Sequence, residues 1–212
     1  MTGAADSLIK TLKRRIHRLV GRLSSEPFDS ASRHILANRD AILDGLPADG
    51  VGIELGVADG SFSRIILEKS RLTHLYSIDM WAGDRGHDLD QYKVAIKQLM
   101  PFRDRSTIIK ARFDEVLDLF PEEYFDFVYV DGYAHTGEDN GQTFIDWYPK
   151  LKPGGLMAGD DYSSEWPLVI GAVDRFVAAN KLLLNVTGSR MFREHQRGDY
   201  PSWFVIKPPS SV

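Results

Sequence analysis

From residue 50 onward the chain alternates short apolar runs with longer stretches in which apolar positions recur every three or four residues. "VGIEL" (51–55), "HLYSI" (74–78), "STIIKA" (106–111), "FDFVYV" (125–130) and "GLMAG" (155–159) have the length and composition of buried strands. Between them "SFSRIILEKS", "DQYKVAIKQLM", "DEVLDLF" and "GQTFIDWYPKL" predict helices, and "LVIGAVDRFVAAN" predicts another after Pro167. Such alternation predicts a parallel sheet covered by helices on both faces. The last apolar runs, "LLLNVTG" and "SWFVIK", have no clear helix between them and predict a closing hairpin. The expected fold is α/β: Rossmann-like and doubly wound, a mostly parallel seven-stranded sheet with a C-terminal antiparallel hairpin.

The first 23 residues follow another pattern. Leu8, Leu12, Ile16, Leu19, Val20 and Leu23 recur at helical spacing, among six lysines and arginines and Asp6 alone. A basic amphipathic helix is expected, set before a single domain of residues 24–212. Its apolar stripe suits packing on its own domain, a homo-oligomer contact or an anionic membrane surface. Nothing in it carries chemistry.

Composition narrows the class. A chain of 212 residues, 43% hydrophobic and 26% charged, is long enough for one substantial core and ordinary for a soluble protein. With no cysteine there is no disulfide framework, thiolate metal site or cysteine nucleophile. A net charge of -4 argues against nucleic acid as a partner. No apolar run is long enough to span a bilayer, and the start lacks a signal-peptide apolar region, so a cytoplasmic enzyme is the expectation.

In open α/β sheets ligands bind beyond the carboxyl ends of the strands. The residues there are Glu54 with Gly56, Asp79, Ala111 with Arg112, Asp131, and Asp160 with Asp161. Carboxylates stand at four of these five edges, which marks a site. The turn "ELGVADGS" (54–61) has glycines at 56 and 60, not the spacing of a dinucleotide fingerprint. Glu54 and Asp59 would repel a diphosphate and suit a cationic or ammonium-bearing ligand. Asp79 stands where Rossmann-like folds hold ribose hydroxyls. A nucleoside that is not a dinucleotide is expected, which disfavours a nicotinamide-dependent oxidoreductase.

These stretches resemble the class I S-adenosylmethionine-dependent methyltransferases. "GIELGVADGS" is similar to their first motif, "YSIDMW" to their second-strand acid, and "KLKPGGLMAGDDY" to their Pro-Gly-Gly hairpin into strand five. The resemblance covers about residues 50 to 165. It implies S-adenosylmethionine as cofactor, with Gly56, Gly60 and Ser61 near the methionine moiety and Glu54 and Asp59 near its ammonium group. It places the ribose on Asp79, the adenine among Met80, Trp81 and Arg112, and Asp131 against the cofactor.

Asp160 and Asp161 raise a separate question. Two charges about 4 Å apart repel by roughly 4 kcal/mol at an effective dielectric near 20. Asp131, one helix and one strand earlier, can join them. Three acids without Cys or His suit a hard divalent cation, Mg2+ or Mn2+; the alternative is that Asp160 caps a turn and Asp161 is solvated. The triad resembles that of the metal-dependent O-methyltransferases, including the macrocin-type and catechol-type enzymes. That resemblance implies methyl transfer to a hydroxyl of a sugar or other small polyhydroxylated acceptor. The lysine or aspartate such enzymes carry just past the first metal acid is absent, since Tyr133 and Ala134 stand there. His135 is the nearest group with a suitable pKa for general base, and His87, in the polar loop after strand two, is the second candidate. A cofactor-binding but non-catalytic partner subunit is the alternative reading of the same fold.

Overall fold

The computed structural model describes residues 28–83, 86–132, 139–188 and 200–209. The basic stretch 1–23 and His135 lie outside the described residues. Seven strands form one sheet: β1 (Val51–Leu55), β2 (His74–Asp79), β3 (Ser106–Lys110), β4 (Phe125–Val130), β5 (Leu151–Gly159), β6 (Asn185–Val186) and β7 (Trp203–Ile206). Their order is β3-β2-β1-β4-β5-β7-β6. The first five are parallel, and β7 runs antiparallel to both β5 and β6. The expected doubly wound sheet with its closing hairpin is present, though β6 is only two residues long.

Helices α1 (Ser61–Lys69), α2 (Leu89–Leu99), α3 (Phe113–Val116), α4 (Gln142–Trp147) and α5 (Pro167–Ala179) connect the strands. Two predicted helices are shorter than their sequence pattern. The segment after β3 is one α-helical turn followed by a 3₁₀ turn, and α4 gives way at Tyr148–Lys150 to another, with Pro149 at its start. Strand β5 therefore begins at Leu151, within the stretch expected to be helical. Among the described residues no helix is long and apolar enough to cross a membrane.

Strand alternation divides the core in two. Ile53, Leu55, Val128, Val130, Met157, Trp203 and Val205 face one layer, with Trp147 and Phe176 packed on them. Phe127, Tyr129, Leu156, Ala158, Phe204 and Ile206 face the other, under Phe62, Ile66 and Leu67 of α1. That second layer is completed by a 3₁₀ helix, Arg39–Gly45, from a stretch to which the sequence pattern assigns no element. Asn38 caps it by accepting from the Asp40 N–H, and Ile42, Leu43 and Leu46 are buried against the sheet.

Candidate functional site

The strand order reverses between β1 and β4, whose neighbouring connections run to opposite sides of the sheet. The backbone continues the ladder for one residue beyond each strand. Gly56 N donates to Ile78 O at 2.8 Å, Asp131 N to Leu55 O at 2.8 Å, and Asp160 N to Val130 O at 3.2 Å. The acidic residues thus stand in a fixed row along one edge. A cleft of about 650 Å³ opens there, lined by Gly56, Asp79, Met80, Trp81, His87, Arg112, Phe113 and Asp131, among others. This is the switch point at which open α/β sheets take ligands.

Asp79 is the anchor of the glycine turn. Its Oδ2 accepts from the N–H groups of Val57 and Ala58, both at 2.9 Å, and its Oδ1 from the Trp81 N–H at 3.1 Å. Trp81, at φ 42° and 1% exposed, donates from Nε1 to Ala58 O at 2.8 Å and packs on Tyr92. The carboxylate and the indole therefore hold the same turn from two sides. His87 contributes Nδ1 at 3.8 Å from Asp79 Oδ2, so this candidate base stands beside Asp79. Arg112 pairs in both directions with Asp114, Nε to Oδ1 at 2.9 Å and Nη2 to Oδ2 at 3.0 Å.

Four members of the first motif expected at the cofactor, Glu54, Asp59, Gly60 and Ser61, are not among the residues that line the cleft. Asp59 accepts from the Ser61 N–H at 2.9 Å and shapes the start of α1. Gly60, at φ 84°, caps that helix, and a β-carbon there would press on the backbone of Ala95 in α2. Glu54 faces the α1 layer, opposite Ser77 and Tyr129 in register, and is 1% exposed. It accepts from the Ser63 hydroxyl, which also touches Ser77.

Burial lifts the Glu54 carboxyl well above the usual carboxylate range; Ser63 and Arg39 oppose the shift, and Asp131 and Asp79 add to it. An unfolded glutamate ionises near pH ~4.3. As pH rises from there to the raised native value, the unfolded state loses a proton that the native state keeps. Stability must fall over that window. Glu54→Gln removes this dependence. Its thermal midpoint relative to the parent should climb as pH rises from weakly acid to neutral, and a pH-independent difference would contradict the assignment.

The end of the cleft beyond Asp131 includes residues that sequence reasoning passed over: Asp139, Gln142, Thr143, Asp146 and Trp147. Asp139 accepts from the Gly141 N–H at 2.9 Å and from the Thr143 N–H and hydroxyl at 3.1 and 3.0 Å, so it sets the start of α4. The "DNGQT" stretch carries that cap signal in plain sight. Among the described residues the lining holds five aspartates, and its one arginine is paired with Asp114. Such a surface disfavours a diphosphate and favours a ligand with positive charge.

The triad expected to bind a cation is arranged differently. Asp131 lines the cleft, while Asp160 and Asp161 are each 8% exposed. Asp161 has φ 61°. Arg39 lies between the first two. Its Nη1 donates to Asp160 Oδ2 at 2.8 Å and stands 3.5 Å from Asp131 Oδ2. Asp160 Oδ1 accepts from the Ser202 hydroxyl at 3.0 Å. Burial raises the Asp160 carboxyl above its usual range and Asp161 adds to that, with Arg39 and Ser202 opposing. Among the described residues no group of three or more His, Cys, Asp and Glu could hold a metal ion. The Mg2+ or Mn2+ site at Asp131, Asp160 and Asp161 is therefore not supported. The charge that the acids require comes from an arginine 121 residues before Asp160.

Fold and cleft together define a Rossmann-like domain with a nucleoside-sized, acid-lined site. The chain belongs to the methyltransferase-domain family, which matches residues 53–162. No curated protein matches the sequence. Among solved structures the chain is similar to spermidine synthase from Thermotoga maritima, at 18% identity and TM-score 0.57. That match covers 76% of this chain and 54% of the synthase, so the chain spans about half the synthase's length. Precorrin-6y C5,15-methyltransferase from Geobacter metallireducens matches at 16% identity and TM-score 0.55, over 76% of this chain and 82% of that one. A SAM-dependent O-methyltransferase from Thermotoga maritima matches at 15% identity and TM-score 0.54, over 82% and 64%. These are likenesses of fold.

Proposed function

We propose that the protein transfers the methyl group of S-adenosylmethionine to a hydroxyl of a small polyhydroxylated acceptor such as a sugar. The observation that carries this reading is the cleft itself. It is a nucleoside-sized groove at the β1/β4 switch whose charged residues are mostly aspartates, in a chain of the methyltransferase-domain family. The cofactor supplies an electrophilic methyl on a cationic sulfur and carries an ammonium group, and both suit aspartate-rich walls. Asp79 and the N–H groups it organises would hold the ribose. Met80, Trp81 and Arg112 with Phe113 would flank the adenine. Gly56, which lines the cleft and packs on the Asp131–Gly132 backbone, would lie beside the methionine end.

Asp131 stands where the cleft meets Arg39 and would orient the acceptor hydroxyl. His135, four residues on, is the proposed general base. Holding the two reactants in line supplies much of the rate, and no covalent intermediate is required. The test follows labelled methyl from S-adenosylmethionine into a panel of polyols, phenols and amines. The reading expects an alkali-stable ether on a polyol. His135→Ala should lower turnover by about 10²–10⁴ with cofactor affinity unchanged. Labelling confined to amines, or a His135→Ala variant as fast as the parent, would remove the hydroxyl or the base assignment respectively.

A further inference from the structure

Arg39 lies outside the stretch matched by the methyltransferase-domain family, in the 3₁₀ helix added ahead of β1. Its placement is built rather than incidental. The guanidinium lies over the Phe62 ring at 4.4 Å, and Phe62 packs on Tyr129 at 4.5 Å. The arginine side chain is only 17% exposed and its Asp160 partner 11%. The helix carrying it is fixed by the Asn38 cap, by buried Ile42, Leu43 and Leu46, and by the Asp40–Lys69 pair at 2.8 Å. A planar guanidinium held on an aromatic face can hydrogen-bond one carboxylate and face a second, as it does with Asp160 and Asp131.

We propose that Arg39 is the resident counter-ion of Asp131 and Asp160, standing where a divalent cation would otherwise bridge them, and that it positions the Asp131 carboxylate at the acceptor end of the cleft. A metal ion entering between the two acids would meet a fixed positive charge at hydrogen-bond range. It would also have to displace a largely buried guanidinium from the carboxylate it now hydrogen-bonds, an unfavourable exchange. The protein therefore takes up no divalent cation at this site, and its chemistry proceeds without one. Arg39 is a positioning residue and acts through Asp131. The consequence for turnover rests on the methyl-transfer reading, whereas the consequence for cation binding does not.

The test uses the full-length protein and Mn2+ as probe. Titration followed by the electron paramagnetic resonance of free Mn2+ should show no stoichiometric uptake up to millimolar concentration. Thermal midpoints with Mn2+ and with EDTA should coincide. Stoichiometric uptake that Asp160→Asn abolishes would overturn the proposal. A double-mutant cycle gives an independent reading. Arg39→Gln and Asp160→Asn should each lower the thermal midpoint, and the double variant should lose less than the two single losses combined. Additive losses would mean that the pair is not coupled. Arg39→Lys, which keeps the charge, should recover most of the stability, and it serves if the glutamine variant does not fold. In methyl transfer, Arg39→Gln should lower kcat with little change in KM for S-adenosylmethionine, lysine should restore part of the rate, and EDTA should leave the parent unaffected. A rise in that KM without a kcat effect would overturn the positioning role. If S-adenosylhomocysteine fails to bind the parent, the methyl-transfer reading fails while the Mn2+ titration and the cycle still decide the role of Arg39.

Discussion

Gly56→Ala is expected to leave the domain destabilised and its cleft without measurable affinity for S-adenosylhomocysteine. Gly56 has φ 98°, a conformation that disfavours any side chain. A β-carbon there would also fall on the carbonyl group of Asp131 and on the Gly132 backbone. These neighbours cannot withdraw, because Gly56 N is bonded to Ile78 O and Asp131 N to Leu55 O, each at 2.8 Å. Accommodating the methyl group means parting β1 from β4 at the place where the cleft is formed. Backbone strain and overpacking together should cost about 2–4 kcal/mol. Urea unfolding measures the first effect and calorimetry the second. An alanine variant with the parent's midpoint and affinity would show that the two strands do not meet so closely.

Asp79→Ala should have the second largest effect, acting on fold and ligand together. Its carboxylate accepts three backbone N–H groups at 2.9–3.1 Å, which fix both the glycine turn and the start of the following loop. Hydrogen bonds to a charged acceptor are each worth about 1.5–3 kcal/mol, and buried donors left without a partner add to the loss. A fall in stability of about 2–4 kcal/mol is expected, since the freed N–H groups can be rehydrated in part. Cofactor affinity should drop at least ten- to hundredfold, because the same carboxylate is the proposed ribose ligand and the turn it anchors brings Gly56 to the cleft. A stable variant that binds S-adenosylhomocysteine as tightly as the parent would place the nucleoside elsewhere.

How much of this was legible in the sequence follows from the range of the interactions. Strand runs such as "FDFVYV" carry their own signal, because burial on both faces keeps every position but Asp126 apolar or aromatic. The order of acids at strand ends follows directly once the strands are placed, so Asp79, Asp131 and Asp160 do line up along one edge. Glu54 was less legible. Alternation sets Ile53 and Leu55 on one face and Glu54 on the other, but only the packing of α1 shows that Ser63 waits there. The position of Asp79 after strand two suggests a ribose ligand, whereas its service to three backbone N–H groups depends on the turn's conformation.

The acid triad shows the limit most clearly. Adjacent charges in "GDDYS" pose a choice between a compensating cation and a cap with a solvated neighbour, and with no basic residue in the local sequence a metal ion is the natural expectation. The compensating group is Arg39, brought in by a short 3₁₀ helix whose only sequence marks are an Asn cap and three apolar residues. No periodicity links residues 39, 131 and 160. The cleft residues of α4 were missed for a related reason: the pattern identifies a helix, but which face meets the switch point depends on how β4 and β5 set it.

What the cleft binds tests the proposed function most directly. Calorimetric titration of the full-length protein with S-adenosylhomocysteine, in EDTA, should give one site per chain, with binding weakened at least tenfold in Asp79→Ala and unaffected by added Mg2+. A folded protein that gives no binding heat at several temperatures, or that binds NADH in its place, would contradict the central claim.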